Sequence, residues 1–135
     1  MSAFSDYFET IILNYLRGTA LPAPPAKFYI GLYSTPTDES NIGGTELNGN
    51  GYARLGVNAA TTSWTAPAAG GVISNAIELA FPVATGNWAN ATHFAIHAAA
   101  TGGNRYYHGP LTTPRQASLG DVIRFPIGTF TITVA

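Results

Sequence analysis

Every histidine of this 135-residue chain lies between residues 93 and 108: His93 and His97 in THFAIHA, then His108 after ATGGNRYY. Three imidazoles in one stretch could hold a metal ion or supply an acid–base centre. Spacing decides between the backbones that would allow it. On a strand, His93 and His97 share one face but stand about 13 Å apart at 3.3 Å per residue. Zinc–nitrogen bonds of about 2.1 Å cannot bridge that gap. On a helix the i, i+4 pair would converge, but Phe94 and Ile96 alternate with the histidines as a strand does, and no Glu follows His93 as a zinc-protease helix requires. The expectation is therefore structural histidines, exposed or hydrogen-bonded, with no metal and no cofactor.

Other chemistry is as thinly provided. Cysteine is absent, which removes thiolate ligands, cysteine nucleophiles and disulfides together. No Ser sits in a G-x-S-x-G elbow. Glu46 and Glu78 could form a carboxylate pair, but a cross-strand ion pair of Glu78 with Arg54 or Arg124 is the simpler use of that charge. The glycines of GGTELNGNGY fit no dinucleotide or phosphate-loop pattern and read as a turn. Trp64, Trp88, Tyr106 and Tyr107 could stack a sugar, although aromatic residues alternating along strands are usually core. No catalytic residue is assigned.

Composition narrows the partners. Charged residues make up 10%, against roughly 25% in ordinary globular proteins, and six basic groups face seven acidic ones. No cationic stripe is available to gather phosphates, so nucleic acid is not expected as a partner. No apolar run approaches the about 20 residues of a membrane span, and the N-terminus lacks the basic start and apolar core of a secretory signal. A surface so neutral must be held in an assembly or kept soluble by its amides. The length suits one domain, residues 1–135.

The elements that position these residues come in two kinds. Phe4, Phe8, Ile11, Ile12, Tyr15 and Leu16 form one stripe of a 3.6-residue period, which predicts an amphipathic N-terminal helix over residues 4–17. Ser5 would cap it, Asp6 and Glu9 suit its first turn, and Gly18 its stop. Such a helix either covers its own domain or serves as a docking arm. ALPAPPA ends it, and from Lys27 the period becomes two. KFYIGLYS, YARLGVN, AIELAFP, THFAIHA, NRYYHG, DVIRF and TFTITV are the strands, separated by turns rich in Gly, Asn and Pro. The fold expected for 27–135 is an antiparallel β-sandwich or jelly roll.

Taken in order, FSDYFETIILNYLRGTA, KFYIGLYSTPTDE, GGTELNGNGYARLGV, ISNAIELAFPVATGNWANATHFAIHAAATGGNRYYHGPLTT and GDVIRFPIGTFTITV resemble the small virion structural proteins of tailed bacteriophages, which comprise capsid decoration (cement) and tail-fibre-like proteins. The resemblance implies a structural part with no catalytic residue to carry over. A single domain with no collagen or coiled-coil repeat favours the capsid decoration branch. That branch implies a homotrimer on the outer capsid surface, bound to the major capsid protein and assembled in the host bacterial cytoplasm. A tail-fibre or tail-tip component is the alternative, and a carbohydrate-binding sandwich module for host attachment the second. Candidate partner contacts are Ser2 ahead of the helix and Phe4 at its start, and the polar turns at Asn41 and Asn104.

Overall fold

The structure, a computed structural model, describes residues 3–134. Its first elements are a short strand β1 (Ala3–Phe4) and the helix α1 (Asp6–Leu16). Phe4 therefore lies outside the helix in which its spacing places it. The reason is Ser5, which holds extended dihedrals as the N-cap and accepts a hydrogen bond from the Phe8 amide at 3.1 Å. The same hydroxyl donates to the Arg105 carbonyl, so the cap also pins the helix to the neighbouring strand. At the other end Gly18 takes φ 88°, and the Gly18 and Thr19 amides donate to the carbonyls of Tyr15 and Asn14, closing the helix as a Schellman motif.

Eight strands follow: β2 (Lys27–Tyr33), β3 (Leu55–Asn58), β4 (Val72–Ser74), β5 (Leu79–Ala80), β6 (Ala91–His97), β7 (Arg105–Arg115), β8 (Arg124–Phe125) and β9 (Thr131–Thr133). The chain is mainly β and its strand pairs are antiparallel, as the period of two leads one to expect. Strands β1-β7-β6-β2-β3 form one five-stranded sheet, and two ribbons, β4-β9 and β5-β8, accompany it. What packs on the sheet is a pair of two-stranded ribbons in place of a continuous second sheet. Strand β4, which follows Gly70 and Gly71, shows no period in the sequence because three residues are too few. Strand β7 runs on through Pro110 and Pro114, which the alternation of NRYYHG does not reach.

One face of the sheet makes the core. Ile30 and Leu32 of β2 and Phe94 and Ile96 of β6 pack with Leu79, Phe125, Phe130 and Ile132 from the ribbons and their turns. The rings of Phe94, Phe125 and Phe130 meet edge to face at 4.9 and 5.2 Å. Each such buried side chain contributes about 1.5–3 kcal/mol. Buried Asn75 joins the two ribbons: its amide donates to the carbonyls of Ile77, Phe125 and Pro126 and its oxygen accepts from the Phe130 amide.

The opposite face carries Tyr29, Gly31 and Tyr33 beside His93, Ala95 and His97, with Tyr33 paired to His93 and Tyr29 to His97. It is not open to water. The long connection 34–54 folds across it, and there the candidate residues collect.

Candidate functional site

Under this connection lies a layer of polar side chains rather than apolar ones. Arg105 is fully buried; its guanidinium donates to the carbonyls of Asp38 at 2.8 Å and Gly43 at 2.9 Å and to the Tyr33 hydroxyl at 3.2 Å. The Tyr33 ring also lies under the charge, 5.1 Å from the guanidinium carbon. The Tyr33 oxygen meets His97 Nε2 at 3.0 Å, and His97 is 1% exposed. A β-bulge brings this about: Ile96 pairs with Tyr107 but His97 pairs with Arg105, so Tyr106 is the extra residue. Without it Arg105 and Tyr107 would share a face; with it Arg105 turns toward His97 while Tyr106 and Tyr107 pack among Phe4, Phe8 and Phe28.

A second cluster continues the layer. Arg54 grips Glu46 with two parallel bonds of 2.9 Å, Nε to Oε2 and Nη2 to Oε1, and its remaining nitrogen donates to the carbonyls of Ala99 and Gly102. Tyr52 donates to Glu46 at 2.7 Å and accepts from the Leu32 amide at 2.9 Å. Gly31 makes room for this, since a Cβ there would stand 2.8 Å from the Glu46 carboxylate. The turn NGNG, with Gly49, Asn50 and Gly51 all at positive φ, folds Glu46 and Arg54 back on each other. The symmetric placing of Glu46 and Arg54 about that turn was the available sequence signal for the pair. Glu78 meets Arg124 at 2.7 Å across β5 and β8, as one of the two expected pairings.

Electrostatics follow burial. Desolvation, then the charges of Arg54 and Arg105, pulls the His97 pKa down to about 4, so the imidazole is neutral at pH 7. Burial raises Tyr33, with Glu46 adding to it. Burial alone would raise Glu46, but the Arg54 and Tyr52 hydrogen bonds outweigh it and hold the carboxyl below its usual range. His93 and His108 are both lowered by burial; their Nδ1 atoms lie 2.8 Å from the Thr92 and 3.4 Å from the Thr37 hydroxyl. His93 and His97 thus sit on one strand, β6, as their spacing implies, and His108 sits on β7. Among the described residues no group of three or more His, Cys, Asp or Glu is arranged to hold a metal ion.

The contact residues read from the sequence have internal partners too. Asn41 donates to the Asn104 side chain at 3.2 Å and accepts from the Arg105 amide at 2.9 Å. Phe4 pairs with Tyr107 in the sheet and its ring lies 5.0 Å from Phe8. Ser2 lies outside the described residues. Trp88 is core, with its indole N–H on the Asn50 carbonyl, and half-buried Trp64 leans on Phe130.

What does face outward is helix α1. Phe8 packs against Tyr106 and Tyr107, and the helix docks on β7, but it has no buried residue. Leu16 is 88% and Leu13 64% exposed, with Ile12, Tyr15 and Leu21 close by in sequence. The stripe is wider than the sheet edge that covers it, so its C-terminal half is an uncovered apolar surface of the kind that marks contact sites.

The model of the family described as Podophage GP4 fiber I protein gp80 matches residues 3–133, from β1 through β9. No curated protein matches the chain.

Proposed function

The chain belongs to the Podophage GP4 fiber I protein gp80 family, a family of tailed-phage virion structural proteins, and from that premise we propose that it is a non-enzymatic, self-associating module of a virion fibre. The observation that carries this is the extent of the match, which takes in helix and sheet as one unit. The site geometry agrees, because Tyr33, His97 and Arg105, and likewise Glu46, Tyr52 and Arg54, are turned inward and bonded to one another.

The capsid decoration reading is kept as a second one, favoured by the absence of any long shaft-like element among the described residues. A decoration protein binding the major capsid protein of the assembled shell would stabilise it by RT ln(1 + [L]/Kd), about 2.7 kcal/mol per site at a hundredfold excess over Kd. Copy number separates the two. Densitometry of purified virions is expected to give a few copies per particle for a fibre module. Near parity with the major capsid protein would replace the fibre reading by decoration, and absence from the virion would end both.

Self-association is assigned to α1. Ile12 and Leu16 stand at i, i+4 with Leu13 beside them, a seam that the same seam on another copy fills, as repeated identical faces do about a symmetry axis. Charge does not oppose the contact, since this seam carries none. Sedimentation of the pure protein is expected to show an oligomer, with three copies the state proposed. The double variant Leu13→Glu, Leu16→Glu is expected to run as a folded monomer. A wild-type chain that stays monomeric at high concentration removes the assignment.

A further inference from the structure

On the core side of β7, beyond the last regular pair with β6, the ladder breaks. His93 pairs with Pro110 and Ala91 with Arg115, so four residues of β7, Leu111 to Pro114, stand against Thr92 alone. Such a bulge opens the sheet and re-aims side chains. Here it leaves a cleft of about 440 Å³ between β7 and the turn leading into β9, within the size range of small-molecule sites. The core rings of Phe94, Phe125 and Phe130 lie beneath it, each no more than 3% exposed.

The one charge lining this cleft is Arg115, whose guanidinium carbon lies 4.8 Å from the centroid of the Phe125 ring. Arg17, Arg54, Arg105 and Arg124 each donate to a side chain or a carbonyl. Arg115 does so nowhere among the described residues, and its Nε is buried without an acceptor. A guanidinium stacked on a ring keeps its donors in the plane of the fork, the geometry that receives a carboxylate through two parallel bonds. Around it are the exposed Thr112, Thr113 and Thr131, whose hydroxyls have no acceptor among the described residues, whereas Thr129 donates to the Pro126 carbonyl.

From a lone cation ringed by free hydroxyls we infer that this cleft binds a hydroxylated carboxylate of the acidic monosaccharide class, with Arg115 holding the carboxylate and the threonines the ring hydroxyls. A sugar acid satisfies both features, since it offers one anion and several hydroxyls. A protein carboxylate would satisfy only the first. The inference stands apart from copy number and from oligomeric state.

The test is titration of the full chain with D-galacturonate, followed by amide chemical shifts. Saturable shifts at Thr113, Arg115 and Gly128–Thr131 are expected, weakened at least tenfold in Arg115→Met and unchanged in Arg124→Met. D-galactose and acetate are each expected to bind at least tenfold more weakly than galacturonate. Thr113→Val, which spares the arginine, should weaken binding severalfold and serves if Arg115→Met does not fold. Absence of saturable shifts, full binding by both cleft variants, or equal binding of galactose overturns the assignment. Equal binding of acetate, or tighter binding of a glutamate tripeptide with blocked ends, overturns it in favour of a bare carboxylate.

Discussion

Arg105→Met is expected to lower the unfolding free energy by about 3–5 kcal/mol, measured by urea denaturation at pH 7.5. Methionine can follow the aliphatic stem of Arg105 but brings no donor. The carbonyls of Asp38 and Gly43 and the hydroxyl of Tyr33 would then lose the bonds they accept from a fully buried guanidinium. Each orphaned buried acceptor costs about 1–3 kcal/mol, and the lost guanidinium adds a cavity over the Tyr33 ring. The Asp38 carboxylate, 3.9 Å from the guanidinium and largely exposed, adds little, so the loss belongs to the neutral acceptors. Arg105→Lys restores a charge but not the fork that reaches Asp38, Gly43 and Tyr33 together, and should recover only part. Because Asp38 and Gly43 belong to the connection over the sheet, limited proteolysis of Arg105→Met should cut between residues 35 and 46 first. A loss below about 1 kcal/mol would mean that water satisfies these groups and that the arginine does not hold the connection down.

Acid is expected to weaken the protein over a defined window. The folded-state pKa of His97, about 4, lies below the ordinary histidine value of 6.5, so the unfolded chain takes up the proton first as pH falls. Stability from this group is complete above about pH 6.5 and declines toward pH 4, where the folded form protonates too. Between pH 7.5 and pH 5 the loss is about 2 kcal/mol. The groups around His97 set the sign: Arg54 and Arg105 oppose its charge and Glu46 favours it, while burial dominates. His93 and His108, also lowered, act in the same direction, whereas Glu46, held low by Arg54 and Tyr52, adds its own loss only at more acid pH. His97→Gln, which can still bond Tyr33, should remove most of the slope between pH 7.5 and 5 and leave the remainder to the other two histidines. An unchanged slope in this variant would show that His97 protonates in the folded state without penalty.

Both predictions rest on Arg105 and His97, and only one half of that pairing was legible beforehand. The period of two in THFAIHA put His93 and His97 on one face, and β6 does so. Yet alternation also put Arg105 with Tyr107, and the single extra residue at Tyr106 reverses that. Local spacing cannot register a bulge, because the insertion exists only relative to the partner strand. The same holds for Arg115, which lies beyond the alternation of NRYYHG and whose cleft arises from the mismatch of Leu111–Pro114 against Thr92.

The amino-acid sequence by itself determined the elements and their faces: a capped helix ending at a left-handed glycine, short antiparallel strands, a chain without thiols and with few charges. These follow from dihedral preference and from the periodicity of apolar residues, which act over a few residues. Tertiary structure alone decided that the face opposite the core would be roofed by residues 34–54, that Asn41 and Asn104 would bond to each other, that Phe4 would join the sheet, and that Leu13 and Leu16 would remain uncovered. These are pairings between residues far apart in the chain, set by which edges and surfaces the folded sheet leaves open, and no local pattern carries them.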